Sequence, residues 1–96
     1  MSPKNKIKLK LLRKKLDKID YQLLKVIKIR TEVVKKVLSL KSYKKEIIDK
    51  KRISVVLKKI RKESLKKNID PKITHRIWKN MIWSYINFEK RNFKKK

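Results

Sequence analysis

Ten positions between Leu9 and Leu40 follow one another at alternating spacings of three and four: Leu9, Leu12, Leu16, Ile19, Leu23, Val26, Arg30, Val33, Val37 and Leu40. Nine of the ten are aliphatic, and no proline or glycine interrupts the stretch from Lys8 to about Ser42. That period belongs to a helix presenting one apolar seam. At 1.5 Å per residue the helix is roughly 50 Å long. A seam of that length is more than a chain of 96 residues can bury within itself. A partner chain is implied.

The rest of the chain reads as two shorter helices. Ser42 to Ile48 is a polar connection without helical period. Asp49 can cap a second helix, in which Ile53, Val56, Leu57 and Ile60 step by three and four. It is expected to run to about Lys67, with Asn68 as its stop. Asp70-Pro71 pairs an N-cap residue with a proline at the first helical position, where its missing N–H costs nothing. The third helix carries Ile73, Ile77, Trp78, Met81, Ile82, Trp83, Tyr85, Ile86 and Phe88. Apolar around most of its circumference, it is expected to be central and buried. The expectation is an all-α chain of three helices, one long and two shorter, in an intertwined homodimer. Residues 1–96 form one domain, with basic tails at about 1–7 and 90–96.

Composition removes several chemistries. There is no Gly, so no phosphate-cradling loop, dinucleotide fingerprint or nucleophile elbow can form. There is no Cys and a single His, His75, so thiol nucleophiles, disulfides and zinc fingers are excluded, and no metal site is expected. His75 reads as a surface residue. No apolar run approaches the roughly 18 residues of a membrane span, and the basic N-terminus lacks the apolar core of a signal peptide. A cytoplasmic protein with no membrane partner is expected.

The 33 Lys and Arg against 8 acids give a net charge of +25. Phosphates are the usual partner of such a chain. Enrichment in Lys, Ile and Asn without Ala or Gly is also what AT-rich codons produce, and a nucleic-acid-binding helical module is kept as an alternative only.

Some charges stand where a core would refuse them. Arg30 occupies a seam slot, so something anionic must meet its guanidinium. That is either a register-setting ion pair, as in coiled coils, or an anion site inside the bundle. Lys41 lies three turns beyond Arg30 on nearly the same face, about 16 Å along the axis, and both side chains can lean toward one ligand. Arg13 is about 25 Å from Arg30 on the same rod, too far to share that ligand. In an antiparallel pairing of two such helices, Arg13 of one chain reaches the Arg30 region of the other, and two composite sites result. Glu89 shares the face of Ile82 and Tyr85 and is either turned to solvent or held in a site. Trp78, Trp83 and Phe88 read as core or dimer contacts.

Taken together, these residues resemble the all-helical chorismate mutase family. Leu12 to Lys41 is similar to the family's first helix, with Leu-Arg, then Ile-Asp two turns on, Leu-Leu, Arg and finally Lys. Asp49 to Arg52 matches the D-x-x-R that opens the second helix. Asn68-Ile-Asp-Pro and the following Ile-Trp…Ile-Trp-Ser-Tyr run resemble the third. The likeness covers roughly residues 9 to 90.

The resemblance implies an intertwined dimer and an enzyme without cofactor, an isomerase of aromatic amino-acid biosynthesis in the shikimate pathway. Its substrate is a small dianion, with neither nucleic acid nor membrane as a partner. By position, Arg13 of the partner subunit and Arg30 bind the two substrate carboxylates. Lys41 binds a carboxylate and the ether oxygen whose bond breaks. Asp49 and Arg52 belong to the pocket, and Glu89 faces the ether oxygen, where it can help only as a neutral donor. Two positions depart from the family pattern. Ile53 stands where the family has Glu, and Tyr85 where many members have Ser. Both are similar to the related isochorismate-pyruvate lyases, the alternative the residues leave open.

Overall fold

The structure, a computed structural model, describes residues 1–95. Its helices are α1 (Pro3–Ser39), α2 (Lys50–Lys66) and α3 (Pro71–Asn92), with one 3-10 turn at Lys44–Ile47 between α1 and α2. No strand occurs among the described residues, and the fold class is all-α. The chain divides into two compact units, Met1–Val34 and the segment from Lys35 onward.

The first unit is a single helical segment. It begins at Pro3, ahead of the Lys8 expected from the heptad, so most of the supposed tail at 1–7 is helical. The reason is local. Ser2 Oγ accepts the Asn5 N–H at 3.1 Å, the Ser2 carbonyl accepts from Lys6 at 2.9 Å, and Pro3 takes the first helical position. The seam faces solvent along this unit: Leu12, Leu16, Leu23 and Val26 are each more than half exposed. Burying one such side chain is worth about 1.5–3 kcal/mol, so this face is poised for cover.

The second unit holds the core. Leu38, Ile47 and Ile86 are buried, and Ile48, Ile53, Ile82 and Phe93 pack against them. α1 stops at Ser39, three residues before the expected Ser42. The N–H groups of Leu40 and Lys41 bond three residues back, to Val37 and Leu38 at 3.1 Å, which tightens the last turn. The connection expected to lack helical structure contains the 3-10 turn, and it delivers Ile47 into the core. Glu46 secures that turn by accepting the N–H groups of Ser42 at 3.2 Å and Tyr43 at 2.9 Å.

α2 and α3 form a hairpin packed face to face. Asp49 caps α2 by accepting the Arg52 N–H at 3.0 Å, and Asp70 caps α3 by accepting the Lys72 N–H at 2.9 Å. Between them Asn68 takes a left-handed backbone with φ of 56°, the conformation that ends a helix where glycine is absent. Ser64 and Thr74 lock the hairpin from within. Their hydroxyls lie 2.7 Å apart and are buried. Ser64 donates to the Ile60 carbonyl at 2.6 Å, and the Thr74 hydroxyl also reaches the Pro71 carbonyl at 3.4 Å.

Two expectations change. α3 is not buried around its circumference, since Ile73 and Ile77 are more than half exposed and Trp83 is 44% exposed. With α2 and the 3-10 turn as its packing partners, only one side of α3 is covered, where Thr74, Ile86 and Glu89 lie. The tail expected from Lys90 is helical through Asn92, whose Nδ2 donates to the Phe88 carbonyl at 2.8 Å. Lys96 lies outside the described residues.

Candidate active site

The second unit brings together two of the residues singled out above. Lys41 Nζ donates to both carboxylate oxygens of Glu89, at 3.2 and 3.3 Å. Lys41 follows directly on the tightened end of α1, and Glu89 lies in the last turns of α3. Their side chains are 18% and 8% exposed. By contrast, Glu63 meets Lys66 and Lys67 at longer range on the surface, with all three partners well exposed. Among five described acids of this unit, Glu89 is the buried one.

A buried charge requires a partner, because desolvation of a lone ion costs several kcal/mol. The pair is therefore matched internally. A forked contact of this kind holds the ammonium in one direction.

Asp49 lies beside it. Lys41, Asp49, Glu46 and Ile48 share the wall of a hollow of about 550 Å³ completed by Lys50 and Lys51. The hollow is lined by both signs of charge, three lysines and two acids, and opens to solvent beside the α2 N-terminus. One Asp49 oxygen is engaged by its capping bond, which fixes the carboxylate relative to the first turn of α2. Arg52, one turn into α2, is exposed.

Ile53 belongs to the packing of the core and is not among the residues that line the hollow at Lys41. It is half-buried and packs against the Leu38, Ile47 and Ile86 cluster. Tyr85 is half-buried on α3, with its ring edge-on to Phe88 at 6.5 Å and 83°. Neither side chain breaks the fold, and each supplies bulk where an acid or a small hydroxyl would supply polarity.

Arg13 and Arg30 belong to the first unit. Arg13 is exposed, while Arg30 is half-buried with its Nη1 atom out of solvent. They are 17 residues apart on one helix, about 25 Å, as the heptad spacing requires. His75 is exposed, as expected. Among the described residues no group of three His, Cys, Asp or Glu could hold a metal ion. No helix among them is long and apolar enough to cross a membrane.

The order of these charged residues along an all-helical chain is what comparison with known families tests. The sequence pattern of the chorismate mutase type II family matches residues 12–90. The chain belongs to the chorismate mutase type II family. None of the curated proteins and none of the solved structures compared with the chain matches it. The family span includes Arg13, Arg30, Lys41, Asp49, Arg52, Ile53, Tyr85 and Glu89, and it leaves outside the first nine residues of α1, Pro3 to Leu11. Membership in the chorismate mutase type II family supports a chorismate mutase-type activity.

Two features escaped the sequence reading. Glu46 holds the segment that follows Lys41, and a capping signal was present in its spacing three residues after Tyr43. The Ser64–Thr74 lock was also legible in part, because Ser64 continues the stripe of Leu57 and Ile60 at a step of four.

Proposed function

We propose that the protein is a chorismate mutase, which rearranges chorismate to prephenate in aromatic amino-acid biosynthesis and works as a cytoplasmic homodimer. The observation that carries the reading is the buried Lys41–Glu89 pair within a family span that also contains the other cations.

The reaction is intramolecular. One C–O bond breaks as one C–C bond forms, and no covalent nucleophile is required. What a protein can contribute is confinement of a flexible dianion in its compact conformer, and cations where negative charge grows on the ether oxygen. Arg30, and Arg13 of the partner subunit, take the two carboxylates in forked contacts. Lys41 serves a carboxylate and the ether oxygen, and Arg52 and Asp49 border the pocket. Substrate that engages Lys41 releases Glu89 from its ion pair. Glu89 faces the ether oxygen, where it can help only as a neutral donor, since a carboxylate there would repel the developing charge. The exposed seam of α1 supports the dimer, because a second copy laid antiparallel both covers it and brings Arg13 across.

A second reading is favoured by Ile53 and Tyr85. With an aliphatic and a phenol at these positions the pocket lacks the acid that would accept from a substrate hydroxyl. Isochorismate, cleaved to pyruvate and salicylate, is the corresponding substrate. Incubating the purified protein with each compound separates the two. Prephenate from chorismate supports the mutase, and pyruvate with salicylate from isochorismate supports the lyase. If neither compound is consumed, both readings fail.

A further inference from the structure

The family reading uses four cations and leaves most of the charge of α1 without a role. Its distribution is not even. With Leu9 as position a of the heptad, positions c and g form a continuous stripe from Lys4 to Ile29. Five of the eight slots are lysines: Lys4, Lys8, Lys15, Lys18 and Lys25. The other three, Leu11, Gln22 and Ile29, are uncharged. Asp17 and Asp20 fall at positions b and e, more than about 100° away around the helix, and the stripe meets its first acid only at Glu32. All five lysines are exposed.

The stripe is centred roughly 110° from the a/d seam, so covering the seam leaves its outer edge open to solvent. From Lys4 to Lys25 it runs about 32 Å in a straight line. Lys8, Lys14, Lys15 and Lys18 wall a shallow hollow around Leu11. Like charges one turn apart repel, and no carboxylate on this face relieves them.

A partner that does so must be anionic, elongated and evenly charged. A nucleic-acid duplex fits, with one negative charge per about 1.7 Å of axis. Lysine suits its phosphates as a flexible point charge, without the forked geometry that reads bases. An anionic membrane fits poorly. An interfacial helix must sink a continuous row of bulky apolar side chains between its lysines, and here only Leu11 and Ile29, 18 residues apart, stand on the stripe while the aliphatic seam points elsewhere.

We propose that the c/g face of α1, from Lys4 to Lys25, docks the phosphodiester backbone of duplex nucleic acid without regard to base sequence. Net charge kept a nucleic-acid-binding module as an alternative without giving it a location, and the family resemblance implied no such partner. The helix supplies one. This surface is separate from the pocket residues and stands whichever substrate that pocket takes.

The test compares two variants of equal charge. One carries Lys4, Lys8, Lys15, Lys18 and Lys25 changed to Gln. The other carries the same change at Lys58, Lys59, Lys62, Lys72 and Lys79, five exposed lysines of α2 and α3. Gln keeps helix propensity, and circular dichroism confirms that both fold. Binding to a fluorescein-labelled mixed-sequence duplex of about 24 base pairs is titrated across salt. The stripe variant is expected to lose about 4 units of slope in log K against log salt, and at least about tenfold more affinity than the other variant near physiological salt. Equal losses in the two variants would overturn the proposal, because net charge alone would then explain binding. So would failure of the unaltered protein to bind the duplex at that salt. Equal or tighter binding to phosphatidylglycerol vesicles, lost in the stripe variant, would overturn it in favour of a membrane.

Discussion

The two units treat their apolar side chains in opposite ways. In residues 1–34 the aliphatic side chains lie on one long helix and most stay exposed, while from Lys35 onward a 3-10 turn and a hairpin bury Leu38, Ile47 and Ile86. The difference is one of connectivity. A straight helix cannot fold back on its own seam, whereas α2 and α3, joined by a four-residue corner, cover each other at once. Order in the second unit is intrinsic, whereas the seam of the first stays uncovered within its own unit.

The sharpest way to break this contrast is at the pair the second unit buries. Lys41→Ala removes a cation from the site and leaves Glu89 buried alone. A loss of about 10²–10³ in kcat/KM is expected, with the α-helical circular dichroism retained. A loss below tenfold would move the reacting oxygen elsewhere. Glu89→Gln keeps a side-chain donor at this position and Glu89→Ala removes it, so the Gln variant is expected to retain activity that the Ala variant loses by about 10²-fold or more. Equal losses in both would remove Glu89 from the chemistry.

The seam comes next. Leu16→Lys with Leu23→Lys puts four like charges into a two-chain interface and is expected to give monomers by analytical ultracentrifugation, with activity lost alongside. A dimer that survives places the interface on another face. Composite sites make a finer statement. Arg13→Ala and Lys41→Ala proteins, each inactive, are expected to regain about a quarter of native activity when unfolded and refolded together at equal amounts, since half the dimers are mixed and each mixed dimer has one intact site. No recovery, although mixed dimers form, would mean that each site draws on a single chain.

The smallest effect belongs to the hairpin lock. Ser64→Ala alone leaves the buried Thr74 hydroxyl only its long contact to the Pro71 carbonyl and is expected to cost about 1–3 kcal/mol in urea unfolding. Ser64→Ala with Thr74→Val removes both polar groups and is expected to recover most of that. A double variant as weak as the sum of the singles would deny the pairing.

Local signals carried far in this chain. Asp49, Asp70-Pro71 and Asn68 each act on backbone groups within three residues, and each sits at the helix boundary its chemistry dictates. Ser2-Pro3 is a signal of the same kind and was overshadowed by the heptad that starts beyond it. Ile47 was hidden because its burial depends on a turn stapled by Glu46, which the period of neither neighbouring helix reports. The Lys41–Glu89 bond spans 48 residues of sequence. Each residue could be singled out by its face, but which of 33 cations Glu89 meets is decided only when α3 folds back beside the end of α1. The exposure of Ile73 and Ile77 has the opposite cause. Their pattern announces burial, and a single chain has too few elements to provide it.

In the proposed dimer the exposed seam also sets two clocks. Contacts of the α2–α3 hairpin join near neighbours in sequence, and such helical pairs close in microseconds to milliseconds whatever the protein concentration. Covering Leu12, Leu16 and Leu23 with a second copy is a bimolecular event, slowed in direct proportion to dilution. A freshly made chain would therefore pass through an interval, lengthening as its copy number falls, in which the hairpin is finished and the long helix still waits.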